Sequence, residues 1–212
     1  MSAPNIQHFL LDGPAGKLEI ALGEPKSIPK GIAIIAHPHP LHGGTMDNKV
    51  VCTLFTTLLE LEFITAKFNF RGIGKSEGVF DHGIGETEDV IAVTQAICNQ
   101  FNNHVPDLPL LLAGFSFGGA VQLHAAERLN PEYLILVAPS VAKLKAPIVP
   151  ETTQFALIIQ GDKDDIVRPD TLLAWATPKS QPITLIPGAE HFFHGKLAIL
   201  KEVILKAFNR QI

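Results

Sequence analysis

The chain has 212 residues, 46% of them hydrophobic and only 18% charged, which is enough apolar material for one large core and the length of one domain, residues 1–212. This composition excludes intrinsic disorder, and a net charge of -4 without runs of like sign excludes a nucleic-acid tract or a polybasic membrane patch. No apolar run reaches the ~18 residues of a membrane span, and the opening MSAPNIQHFLLDGPAG lacks a basic leader before an apolar core, so a cytoplasmic protein is expected.

The chain opens with short apolar runs at residues 9–12 and 17–22 around the turn GPAG, a hairpin at the edge of a sheet. After Pro25 and Pro29, GIAIIA (residues 31–36) reads as a buried strand that ends in the unusual loop HPHPLHGG. Helical spacing of Val50, Val51, Leu54, Phe55, Leu58 and Leu61 follows, with Thr45 or Asp47 available as its cap. Residues 63–70 return to strand composition. A second amphipathic helix then runs from Gly85 through Phe101, its early acids Glu86, Glu88 and Asp89 suited to the positive end of the helix.

Residues 110–113 form another buried strand, stopping at GFSFG before the helix-like AVQLHAAERL. Strands at 133–138, 155–160 and 183–186 alternate with helices at 169–176 and 196–208. Such alternation specifies an α/β fold, a mostly parallel sheet covered on both faces. The stretch 139–150 is too short for a lid domain. Cys52 and Cys98 fall in helical patterns without C-x-x-C spacing and read as reduced, buried side chains.

GFSFG matches G-x-S-x-G, and strand, turn and helix in that order are the setting in which Ser116 sits at the apex of a nucleophile elbow. A serine hydroxyl needs a base, and a group to orient that base. Among nine histidines, His191 lies in a turn after the last strand, which sheet topology places beside the elbow. His194 is the alternative base. For the orienting acid, the strand at 155–160 ends in GDKDDIV, offering Asp162, Asp164 and Asp165.

The chain resembles the α/β-hydrolases from Gly31 to the C-terminal helix. GFSFG resembles their elbow, GDKDDIV their acid loop G-x-x-D-x-x-V, GAEHFF their base loop and NFRGIGKSEG their R-G-x-G-x-S loop. HPHPLHGG resembles the oxyanion loop of small members that carry H-P-H-P there. The resemblance implies a central sheet of about seven or eight mostly parallel strands, helices on both faces and no cap domain. It implies Asp164 as the acid, three residues after Gly161, with Asp162 and Asp165 still open. Backbone N–H groups of Phe117 and His39 would form the oxyanion hole, because Pro38 and Pro40 have none.

Together these readings lead to a serine hydrolase of small esters or thioesters, with a small-molecule acyl substrate as its partner and neither metal nor organic cofactor required. Two competing readings concern loops. His37, His39 and His42 could form a metal cluster, and NFRGIGKS approaches the P-loop pattern, with Asn69 in place of its first glycine. A non-catalytic binding protein on the same fold is the other alternative. Arg71 is expected to anchor its loop, His124 to pack, and Phe115, Phe117, Phe192, Phe193 and Trp175 to compete as acyl-pocket residues. Nothing in the pattern fixes an oligomeric state.

Overall fold

The computed structural model describes residues 5–102 and 107–208. Residues 1–4, part of the stretch searched for a leader, lie outside the described residues. The hairpin is longer than its apolar runs, β1 (Asn5–Gly13) and β2 (Gly16–Glu24). It is followed by β3 (Gly31–Ala36), α1 (Lys49–Glu60), β4 (Phe63–Phe68) and α2 (Ile84–Asn102). The second half contains β5 (Leu110–Phe115), α3 (Phe117–Leu129), β6 (Tyr133–Val137) and β7 (Phe155–Gly161). It ends in α4 (Pro169–Ala176), β8 (Thr184–Ile186) and α5 (Leu197–Phe208).

All eight strands form one sheet in the order β1-β2-β4-β3-β5-β6-β7-β8. The hairpin joins antiparallel through β2 and β4, and every later pairing is parallel. Alternation along β3 divides the core. Ile32 and Ile34 face a layer shared with α2, α3 and α4, whereas Ala33 and Ile35 face one shared with α1 and α5. This arrangement is an α/β-hydrolase fold, and no helix interrupts the connection between β6 and β7 where a cap would be inserted.

The chain adds β4 on one side of β3 and then crosses to place β5 on the other, so the strand order reverses between β3 and β5. Crevices at the carboxyl ends of parallel strands open at such a reversal. Among the described residues, no helix is long and apolar enough to cross a membrane.

Two local expectations are corrected. Neither Thr45 nor Asp47 caps α1; Asn48 does, its side-chain oxygen accepting from the Val50 N–H at 2.9 Å, while the Thr45 hydroxyl serves Asp47 N–H instead. Only Glu86 attends the start of α2, accepting from the N–H groups of Asp81 and Gly83. Asp89 is paired with Arg71, and Glu88 with Arg128.

Candidate active site

Ser116 occupies the turn between β5 and α3 at φ 55°, ψ -115°, a left-handed conformation that strains any residue with a Cβ. The surrounding backbone holds it there. Its N–H donates to Val137 O and its carbonyl accepts from Ser140 N–H, both at 2.9 Å. Close approach requires glycine on either side: a Cβ on Gly114 would lie 2.5 Å from Gly118 O, and one on Gly118 would lie 2.5 Å from His37 O. The Ser116 hydroxyl makes no helix-capping bond. It lies 3.0 Å from His191 Nε2 and 3.3 Å from Ser140 Oγ.

His191 follows β8 in a tight turn, its ring between Phe115 and Phe192 at centroid distances of 5.0 and 5.1 Å. Its Nδ1 is 2.7 Å from Asp164 Oδ2, so the carboxylate fixes Nδ1 as the donor and leaves Nε2 to accept from the Ser116 hydroxyl. Asp164, in the turn after β7, is itself immobilised. Oδ1 accepts from Ile166 N–H and Val167 N–H, and Oδ2 also accepts from Gln160 Nε2 at 3.0 Å. Asp164 is therefore the acid brought to His191. Asp162 instead accepts from Gly188 N–H, Asp165 is exposed, and exposed His194 pairs with Glu190.

Gln160 carries no motif and was invisible to sequence reasoning. It is fully buried at the end of β7, and its amide N–H groups reach both Asp164 and Val167 O, tying the acid to its own loop. Ser140, in the turn after β6, likewise carries no motif, yet it touches the Ser116 hydroxyl.

The loop after β3 separates its three histidines. His37 is buried, with Nε2 accepting from Phe70 N–H at 3.0 Å and Nδ1 donating to Pro38 O at 2.6 Å. Burial holds its imidazole down at about 4, partly offset by the bond to Pro38 O. Both ring nitrogens are thus committed to backbone, which takes His37 out of any three-histidine ligand set. His39 and His42 stack at 4.5 Å, and His39 Nδ1 accepts from Leu41 N–H. Phe117 begins α3, ahead of its first i→i−4 bond, Ala120 N–H to Ser116 O, so its N–H belongs to the unpaired first turn. His39 and Phe117 both line the same cavity as Ser116.

That cavity has a volume of about 780 Å³. Of the aromatic residues considered for it, Phe117 and Phe192 line it; Phe115 and Phe193 are buried beneath, and Trp175 bonds Ala146 O elsewhere. His124 packs behind α3 against Leu144 O. The NFRGIGKS loop contributes through Phe80 and His82 farther on. It lacks P-loop geometry: no helix starts at Lys75, whose N–H is taken by the Glu19 carboxylate. Arg71 anchors it with a bidentate, buried pair to Asp89. Cys52 and Cys98 are free but only half-buried, since each lies at the edge of its helix's apolar stripe.

A strained serine at a strand-to-helix turn, aligned with a histidine and a buried aspartate at the open end of this sheet, defines an α/β serine hydrolase without a lid. The chain belongs to the family described as serine aminopeptidase, S33, whose model it matches over residues 39–161. It is 32% identical over 210 residues to an uncharacterized protein of Rickettsia prowazekii, covering 93% of this chain and 85% of that one. Among solved structures, an α/β serine hydrolase homologue from Coxiella burnetii is 41% identical, with a TM-score of 0.81 over 95% of this chain and 96% of that chain. A lid-less α/β serine hydrolase from Xanthomonas campestris is 37% identical, with a TM-score of 0.87 over 98% and 95% of the two chains.

Proposed function

We propose that the protein hydrolyses small carboxylic esters or thioesters through an acyl-enzyme on Ser116. The observation that carries this reading is the unbroken line from Ser116 Oγ through His191 to Asp164, at 3.0 and 2.7 Å, opening into the cavity. Ser116 attacks the carbonyl as His191 Nε2 takes its proton. Asp164 holds the tautomer and stabilises the imidazolium. The N–H groups of Phe117 and His39 receive the oxyanion, each worth about 2.7–4 kcal/mol where such donors have been removed. His191 returns the proton to the leaving group, and water then repeats the sequence to release the acid.

An aminopeptidase must also hold a substrate ammonium, for which a carboxylate in the cavity wall is the natural partner. Among the described residues, no Asp or Glu lines this cavity, which favours esters over amino-terminal peptides. The free thiols of Cys52 and Cys98 support a reducing compartment such as the cytoplasm.

Hydrolysis of p-nitrophenyl acetate, butyrate and octanoate tests the reading, together with intact mass after fluorophosphonate treatment. Ser116→Ala should lower kcat/KM by about 10⁴-fold or more and abolish a single adduct on Ser116. Equal rates in the two proteins, with no adduct on the wild type, would instead mark a binding protein that retains the fold.

A further inference from the structure

The cavity wall is electrostatically one-sided. His39, His42, His82 and Lys143 all line it, and among the described residues no Asp or Glu does. Asp164 is used by His191 and its own loop, Glu190 by the N–H groups of Phe192 and His194, and Glu86 by the start of α2. Among the described residues, no carboxylate pairs with His42, His82 or Lys143. On a chain with a net charge of -4, Lys143 is the one formally charged side chain among the described residues that line this cavity, and the imidazoles beside it can add only positive charge, a local reversal of sign.

The reaction itself orients a substrate in this cavity. The leaving group must take its proton from His191 Nε2, so it sits on the wall of His191 and Phe192, whose rings are in contact at 5.1 Å. The acyl group is left with the rest of the lining, where the rings of His39 and Phe117 are 4.9 Å apart and Phe80 contacts His39 at 5.1 Å and, edge-on, His82 at 4.9 Å. That is the basic wall.

We propose that the enzyme is selective for esters or thioesters of acids that carry a second, negatively charged group, with His42, His82 and Lys143 as its counter-charge. The aromatic rings of Phe80 and Phe117 receive the intervening methylenes, and the anion ends among the basic groups at the rim. A shared positive field is already felt by His39: burial first, then the charges of His42, Lys143 and His82, hold its imidazolium below the usual range. A bound carboxylate would relieve that repulsion.

This inference rests on the serine-hydrolase reading, so its test separates the two. Mono-p-nitrophenyl adipate and p-nitrophenyl hexanoate share a leaving group and a six-carbon acyl chain and differ in the terminal carboxylate. The wild type should prefer the charged ester by about fivefold or more in kcat/KM at low ionic strength, and added salt should erode the preference. The charged-to-neutral ratio should fall about threefold to tenfold in Lys143→Met and again in His82→Gln. Turnover of both esters with the neutral one preferred, or a ratio that neither substitution moves, would overturn the anionic selectivity and leave the hydrolase standing. No turnover of either ester and no labelling of Ser116 would overturn both.

Discussion

Gln160 shows how a residue away from the reacting atoms can govern them. Its Nε2 donates to Asp164 Oδ2 and Val167 O, while its own Oε1 is buried and finds no partner among the described residues. Replacing the amide by an apolar side chain of similar size therefore removes useful donors and an orphaned acceptor together, so the net stability change is small. The acid, however, loses one of the groups that aim it. Gln160→Met should lower kcat about tenfold with KM little changed, and shift the melting temperature by no more than about 4 °C. A large fall in melting temperature with kcat intact would make Gln160 a packing residue only. Ser140, 3.3 Å from the nucleophile, acts at the same range, and Ser140→Ala should change kcat by less than about tenfold, because His191 remains the base.

At the scale of elements, the segment between β4 and α2 is a long irregular connection that must nevertheless present Phe80 and His82 to the cavity. Its fixed point is the Arg71–Asp89 pair, which joins its start to the second turn of α2. Both side chains are buried, so removing one partner leaves a charge in the core. Asp89→Ala should destabilise the protein by about 3–5 kcal/mol in urea unfolding, whereas Arg71→Leu with Asp89→Leu should cost less, since no charge is left behind. Elements were readable where periodicity was strong: α1 and α4 lie where the apolar pattern puts them, while β5 runs two residues past its apolar run, and Ser116, Asp164 and His191 lie in the turns after β5, β7 and β8. The acid could not be told from Asp162 and Asp165 by spacing, because the choice depends on which carboxylate the loop turns inward to Gln160. The role of Asp89 was hidden for a related reason. An acid in the first two turns of a helix has a local explanation, and only the tertiary approach of Arg71 replaces it.

At the scale of the molecule, the site exists only because the carboxyl end of the sheet gathers loops from across the chain: His39 after β3, Ser116 after β5, Ser140 after β6, Asp164 after β7 and His191 after β8. His37 lies beneath this assembly, joining the loop after β3 to Phe70 beyond β4 through neutral imidazole. Its bonds use both tautomeric roles, a donor at Nδ1 and an acceptor at Nε2, so a second proton would break the bond from Phe70 N–H. The planar Pro38–His39 peptide adds a functional consequence, because anchoring its carbonyl fixes the direction of the His39 N–H proposed for the oxyanion. The stability contribution has a definite sign. Above the unfolded value of 6.5 both states are neutral at His37; between 6.5 and the folded value of about 4, only the unfolded chain takes up the proton. Stability from this residue is therefore complete above pH 6.5 and falls as the pH drops toward 4, by about 3 kcal/mol in all. Every other titratable group is common to wild type and His37→Gln and largely cancels in the difference. Urea unfolding of both proteins from pH 7.5 to 4.5 should show the wild type losing stability more steeply. His37→Gln, already less stable at pH 7.5, should approach the wild type as the pH falls. Parallel curves would mean that His37 titrates as it would in water, and that its hold on Pro38 is too weak to set the oxyanion loop.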